Sequence, residues 1–532
     1  MKKELIDLNK TGLFSQFIID FTNKHKDIKP LVSSFNNLQS IELAISKKTN
    51  CPRNILSKVL QNQYDHTYFY DSDLSKVNRN IKLISHDNSY TITTGHQLNI
   101  FANPLFLIYK VLSVISYTIY LNKNLPGYHF IPCFWMATED HDFPEINEFN
   151  LYGNNHSSHF SSANCVGNLH TEPLLDVLSS MKQNLIINKF GKELYNIYYH
   201  SYSKNINYAN ATRSLLTAFF GDYGLVIIDP NHSQLKKVFV QDMQAEIKNP
   251  FIYKSVLNVN KLIKPKYKPE INPLRFNLFY FSQNKRSKIQ FDDNGYFIND
   301  STKKWTQQAL LNEIEEYPDR FSPNVFLRPL YQERIMPNLM YIGGASEISY
   351  WLQLQQAFIN RKIHYPIFTL RSYFLILSQG IDSIKNKLGL KVEDLFLPYD
   401  QQLKKIIHYN QSINIEQDIV QLNQVLLEIE NKFKYVKGAP TQSFYVFQKR
   451  MQNELIRLKS KMLNFEKMKS KNILNQLQCL NTGIFPQNII QERSISFIPY
   501  YLKYGQDFFR LLIQQISIFE NKYIILSEKD KL

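Results

Sequence analysis

Glu139, Asp140, His141 and Asp142 stand together at the end of an apolar run, Pro132-Cys-Phe-Trp-Met136. Three carboxylates around one imidazole repel each other when buried with no cation, substrate amine or solvent to offset them. The cluster could hold a substrate ammonium, bind a metal or supply a general base. His141 is the candidate base, because an ordinary imidazole titrates near neutrality. Four consecutive polar residues cannot all point one way, so two or three act together. The plain alternative is a helix N-cap followed by a solvated acidic loop.

Two other segments carry chemistry-bearing residues. In Thr93-Thr-Gly-His-Gln97, Gly95 permits a tight bend or a close backbone approach. The helix start beyond it offers N–H groups and a positive dipole end to an anion. His96 joins the catalytic candidates, and Gly95 and Gln97 the binding candidates. Arg328, Gln332 and Glu333 share a predicted helix, followed by a strand from Asn338 to a Gly343-Gly344 turn, with Glu347 in the next helix. Arg328 and Arg371 could each grip a carboxylate or phosphate with two parallel bonds. The paired glycines could cradle a phosphate, but no Gly-Lys-Ser/Thr follows, so this is not a P-loop.

These segments need a scaffold, and the hydrophobic pattern predicts an α/β one. Ser89–Thr93, His129–Met136, Gly224–Asp229 and Tyr365–Leu370 read as short strands. Between them lie helical stretches, notably an apolar run from Pro104 to Tyr120 and a second from Asn231 to Lys248. Strands alternating with helices pair in parallel, and ligands then lie outside the strands' carboxyl ends. Residues 1 to about 80 read as helical and polar. Residues 150–210 break the rhythm as an insertion, 276–300 read as short antiparallel strands turning at Asp292–Gly295, and Ser346–Asn360 reads as one helix.

After about residue 385 the period changes. Ile415, Ile419, Leu422, Leu426, Ile429 and Phe433 alternate steps of four and three, as do Met451, Leu455, Leu458, Met462 and Phe465, with Gly438-Ala-Pro440 between. That predicts an antiparallel coiled-coil hairpin whose second helix reaches about 55–60 Å. Such an arm cannot bury both faces on a compact core, so a homodimer is expected. The predicted organisation is a core over 1–384, the hairpin over 385–480, and a segment over 481–532 returning to the core.

The 532 residues carry a net charge of +16, which favours an anionic partner. The basic residues are scattered, so a nucleic-acid footprint is not expected. Cys51, Cys133, Cys165 and Cys479 form no C-x-x-C pair and no zinc spacing, as in a reducing cytoplasm, and no metal is assigned. Leu105–Leu121 carries Lys110 and several hydroxyls and reads as too polar and short for a membrane span.

The turn at Thr93–Gln97 is similar to the His-x-Gly-His turn of class I nucleotidyl-transferring folds, with Thr93 in place of the first histidine. Lys467-Met-Lys-Ser-Lys471 resembles in composition the mobile lysine loop of class I synthetases, but it falls inside the predicted coiled coil and reads as solvated helix face. Across most of its length the chain resembles the bacillithiol biosynthesis cysteine-adding enzymes, or cysteine ligases. The matching pieces are Thr94–Gln97 with Asn103–Lys110, Phe134–Phe143, Ser322–Glu333, Pro337–Gly344, Tyr350–Gln353, Lys387–Phe396 and Gln491–Arg493. The chain departs from the family where His96 replaces a glutamine, and where Ala345 and Ser346 stand at common glycine positions.

The resemblance implies a Rossmann-like parallel-sheet core related to class I nucleotidyl-transferring folds, with inserted segments and a C-terminal coiled coil for dimerisation. It implies addition of L-cysteine to glucosaminyl-malate, the last step of bacillithiol formation. On that reading Gly95 and His96 face the phosphates of an activating nucleotide such as ATP, if one is used. Asp140 or Asp142 holds the cysteine ammonium, and His141 accepts a proton from the sugar amine. Arg328, Gln332 and Asn338 orient the malyl carboxylates, while Gly343, Gly344 and Glu347 shape the floor. The rival readings are a class I-type adenylating enzyme with another acceptor and a dimeric scaffold with a decayed site.

Overall fold

The computed structural model describes the chain except residues 49–50, 159–164, 283–284, 294, 300–301, 411–414, 437, 439, 470 and 529–532, and gives only the backbone at 408–410, 415–417, 434, 463 and 465–469. Its centre is a parallel sheet of five strands: Ser89–His96, His129–Met136, Val226–Ile228, Asn338–Gly343 and Ile367–Leu370. Across the sheet the order is Ile367–Leu370, Asn338–Gly343, Ser89–His96, His129–Met136, Val226–Ile228. The chain thus starts in the middle, winds to one edge, then returns and winds to the other. The order reverses between Ser89–His96 and Asn338–Gly343, and a doubly wound sheet opens a crevice at that point.

The central strands are buried on both faces, so their side chains form continuous buried runs rather than alternating ones. Helix Leu105–Asn124 makes the first crossover and packs on both strands it connects. By length and composition it could cross a bilayer, contrary to the reading of its sequence as too short and polar. Burial decides the matter, because 78% of its apolar window lies inside the fold, as in a core helix.

Local periodicity misled at the N-terminus. Lys2–Asp7 is a strand, antiparallel to Lys522–Ser527, which in turn runs parallel to Tyr373–Leu377. Only Ile6 of the first strand is buried, and its partner lies over 500 residues away, so the segment's own sequence shows little sign of pairing. The helical expectation holds further along, at Gln16–Thr22, Leu38–Lys47, Arg53–Asp65 and Ser75–Leu83.

Between the second and third core strands come a hairpin, Glu148–Leu151 with Asn154–Ser157, and helices Glu172–Leu185, Lys189–Lys204 and Tyr208–Phe220. A second, antiparallel sheet contains Leu278–Ser282, Lys285–Asp292, Gly295–Ile298, Lys304–Trp305 and Phe321–Pro323. In its turn Asp292 pairs with Gly295, which takes φ +109°, while Asn294 lies outside the described residues. The helix expected over 346–360 is two, Ala345–Leu352 and Gln355–Asn360. At the break, buried Gln353 turns its amide to Asn260 Oδ1 (2.6 Å) and to the Ile271 carbonyl (3.1 Å).

The arm is built from helices Ile415–Lys434 and Thr441–Lys469, which pack on each other. Leu426 is buried in their seam, and Phe433 stacks on Phe444 at 5.3 Å. Leu458, expected in the seam, is 52% exposed, while the side chains of Ile415 and Phe465 lie outside the described residues.

Candidate functional site

At the switch point, strand ends Gly95 and Gly343 are tied together by one buried strut. Lys110, the buried cation of helix Leu105–Asn124, reaches across to the Gly95 carbonyl (2.5 Å) and to Glu347 Oε2 (2.7 Å). The same carboxylate accepts the Gly344 N–H (2.7 Å) and the Tyr341 hydroxyl (3.0 Å). Burial alone raises a carboxyl pKa, but the Lys110 charge and these bonds hold Glu347 at about 2. Burial draws the Lys110 ammonium below its usual value, against the opposing pull of Glu347. Gly95 leaves room for Trp135 on the neighbouring strand, since a Cβ there would sit 3.3 Å from the Trp135 Cβ.

His96 is the next residue along the strand. Its Nδ1 accepts the Gln97 backbone N–H at 2.8 Å, so the ring carries its proton on Nε2. Nε2 is buried at the cleft's edge and has no hydrogen-bond partner among the described residues. Burial, reinforced by the Lys110 charge, pushes the ring's pKa down to about 3. His96 is therefore a fixed N–H donor rather than an acid or base at neutral pH.

The loop after strand His129–Met136 forms the acidic wall. Asp140 Oδ1 accepts the His141 N–H (2.8 Å), and Oδ2 accepts from Gln97 Nε2 (2.8 Å), which also donates to Glu145 Oε2 (2.8 Å). Burial opposes ionisation of Asp140, but these bonds and the Arg286 charge keep its pKa well below the usual carboxylate range. Arg286 lies 3.8 Å from Asp140 and 3.4 Å from His141 Nδ1, and it is anchored on Ser322 Oγ and the Pro323 carbonyl. Glu139 turns away into a buried pair with Lys236. The insertion holds this loop from behind: the Val166 N–H donates to the Asp140 carbonyl and the Gly167 N–H to the Thr138 carbonyl.

The opposite wall is cationic. Arg371 makes a two-pronged, buried pair with Glu492 and lies over Tyr373 at 4.0 Å. Removing one partner of such a pair costs roughly 3–5 kcal/mol. Arg328 and Arg493 have no carboxylate in ion-pairing reach among the described residues. The Arg328 guanidinium lies between the rings of Trp135 (5.8 Å), Tyr341 (6.0 Å) and Trp351 (5.7 Å), and Arg493 lies over Phe106 (5.5 Å).

Gly95, His96, Gln97, Asp140, His141, Asp142, Arg328, Gly344 and Glu347 all line one cleft of about 670 Å³. Gly343 sits just behind its floor, where a Cβ would meet Ile348 Cδ1 at 3.0 Å. Gln332 and Asn338 do not face the cleft, so direct contact with a substrate carboxylate does not fit them. Both are fully buried: Asn338 Oδ1 accepts from Thr93 and Thr91, and its Nδ2 donates to Glu333. Both are polar and flank the turn into the strand, but helix and strand bury them behind the cleft. Sequence reasoning missed Lys110, Arg286 and Glu145 as site residues. A lysine amid the apolar first turns of its helix was the available signal for the first. Arg286 sits in an alternating basic strand and carried none.

The cleft can thus hold an anion at one wall and an ammonium at the other, with a neutral N–H donor between. Among the described residues no group of three His, Cys, Asp or Glu side chains is placed to hold a metal ion.

Comparison with known proteins places this geometry. A family model described as bacillithiol biosynthesis BshC, N-terminal Rossmann-like domain, matches residues 1–372. A second, described as bacillithiol biosynthesis BshC, C-terminal coiled-coil domain, matches residues 374–528. A protein of Flavobacterium johnsoniae named "Putative cysteine ligase BshC" is 34% identical, with 99% of this chain and 100% of that one covered. Proteins of the same name from Flavobacterium psychrophilum (34% identical, 97% of each chain) and Christiangramia forsetii (29%, 99% of each) are also similar over their full length.

Proposed function

Since the chain belongs to the bacillithiol biosynthesis BshC family, we propose that its switch-point cleft is the active site of a cysteine ligase. The enzyme forms a carbon–nitrogen bond between the carboxyl of L-cysteine and the amine of glucosaminyl-malate, closing bacillithiol synthesis. The observation that carries this reading is the two-signed cleft. Arg328 and Arg493 suit the malyl carboxylates, and Asp140 with Asp142 suits the ammonium of cysteine.

Joining a carboxylate to an amine forms an N–C bond, breaks a carboxyl C–O bond whose oxygen leaves as water or with the activating group, and releases a proton from the amine. His141, half-exposed on the acidic wall, accepts that proton. The His96 Nε2–H donates to the carboxyl oxygen as negative charge gathers on it. The Lys110–Glu347 strut keeps the two strand ends at fixed separation, so the donors need not reorganise. A nucleotide, when bound, would supply the group that activates the carboxyl, and the His96 Nε2–H beside the Gly95 turn fits its phosphates.

Exposed Val420, Leu427 and Ile456 support pairing of the arm with a second copy. Four unpaired cysteines support a reducing, cytoplasmic setting. A decayed scaffold is disfavoured, because a site without function would gain nothing from so many buried, mutually satisfied charges.

The test is incubation with L-cysteine and glucosaminyl-malate, with and without ATP, read by mass spectrometry. The reading predicts a product equal to the two substrates less one water. Absence of that product under both conditions overturns it.

A further inference from the structure

Among the described residues, Arg328 is a half-buried cation of the cleft with no carboxylate in ion-pairing reach, and the fold has a carboxylate close by. Glu333 sits five residues along the same helix and is buried. Between the two lies Gln332. Its Oε1 accepts from Arg328 Nη1 at 3.2 Å, and its Nε2 donates to Glu333 Oε1 at 3.0 Å.

The amide has no freedom to reverse. Glu333 Oε1 also accepts Asn338 Nδ2 at 2.6 Å, and Asn338 Oδ1 is taken by Thr93 (2.7 Å) and Thr91 (3.2 Å). On the far side Lys48 approaches Glu333 Oε2 at 3.6 Å and donates to the Asn338 carbonyl at 2.7 Å. A carboxylate at Glu333 thus requires donors, and Gln332 must present its NH₂ there and its oxygen to Arg328. The other polar partner of Arg328, the Tyr350 hydroxyl at 3.5 Å, is neutral as well.

We propose that Gln332 is a positioning residue for anion recognition: a neutral spacer that aims Arg328 into the cleft while keeping the charge of Glu333 from neutralising it. The ligand class so selected is a small dicarboxylate, such as the malyl group of the proposed substrate, so the inference rests on the functional reading above and adds how that site selects its anion. Arg371 and Lys110 are the contrast, since each lines the same cleft but is matched by its own carboxylate, Glu492 or Glu347. Burial raises Glu333 to about 7, against the lowering pull of Lys48 and the two amides, so the carboxylate holds the Gln332 amide most firmly above that pH.

The test is Gln332→Glu, which places a carboxyl against Arg328 at almost unchanged volume. Free malate binding is measured by calorimetry, and KM is measured separately for glucosaminyl-malate and for cysteine. Expected is a rise of about tenfold or more in the malate Kd and in the KM for glucosaminyl-malate, with the KM for cysteine within about twofold. Gln332→Met, which adds no charge but removes both hydrogen bonds, should weaken malate several-fold and less than the glutamate does, and it decides the matter where the glutamate variant fails to fold. Unchanged malate affinity in a folded variant overturns the proposal, as does an equal loss for malate and cysteine, which would mark general distortion. If the wild type binds malate in this graded way but makes no amide, the functional reading falls and the inference stands. If it makes the amide while the variants keep full malate affinity, the inference falls alone.

Discussion

The cleft and the arm leave different things unsatisfied. In the cleft nearly every charge is met from within the chain: Lys110 by Glu347, Arg371 by Glu492, Asp140 by Gln97 and the His141 N–H. On the cationic wall what remains over is positive charge, on Arg328 and Arg493. In the arm the remainder is apolar, with Val420 59%, Tyr445 65% and Ile456 64% exposed. A leftover charge in a walled cleft is matched by a small anion, whereas leftover apolar area is matched by another protein surface. On the proposed reading one molecule presents a site for chemistry and a site for assembly, and substitutions in one should leave the other alone.

The largest separation should come from Arg328→Met, which keeps an apolar body among the three rings and removes the guanidinium. kcat/KM for glucosaminyl-malate should fall about a hundredfold or more, with the oligomeric state unchanged by sedimentation. A dimer that dissociates in this variant would break the comparison.

His96 sharpens it next. His96→Ala should lower kcat by about ten- to a hundredfold, while His96→Gln, which can still donate an N–H, should stay within about threefold. With its pKa held near 3, the ring stays neutral over the working range, so the wild-type pH–rate profile should lack an inflection that His96→Gln removes. Linkage gives the sign for stability. The unfolded chain protonates this ring below about pH 6.5, whereas the folded chain resists until about 3. The contribution is whole above the first value and declines as pH falls between the two, so His96→Gln should flatten the acid limb of a denaturation series.

A smaller effect is expected at Gly167, where a Cβ would lie 2.6 Å from the Thr138 Cβ. Gly167→Ala should cost about 1–3 kcal/mol in denaturant unfolding and reduce turnover through the Asp140 loop, without touching the arm. The smallest effect on chemistry belongs to Ile456→Lys. It should yield a monomer whose turnover per chain matches the wild type, and loss of that turnover would show the site to be incomplete without the second copy.

The sequence made some of this legible and hid the rest for physical reasons. Strand His129–Met136 and the acidic loop after it were readable because a doubly buried strand is a continuous apolar run. The cleft's wall from Arg328 to Glu347 was readable as a helix, a strand and a glycine turn. Which face those polar residues take was not, and Gln332 and Asn338 proved to serve Arg328 and Glu333 from below. The strand Lys2–Asp7 was hidden because its partners are supplied by the opposite end of the chain. The pairing of Arg371 with Glu492 spans 121 residues, and no local spacing encodes such a contact.

The most direct measurement is a crystal structure of the protein with glucosaminyl-malate and L-cysteine bound. The account predicts malyl carboxylate oxygens within hydrogen-bond distance of the Arg328 guanidinium, and the cysteine ammonium against Asp140 or Asp142. Substrates found outside the cleft bounded by Gly95, Asp140, Arg328 and Glu347 would contradict it.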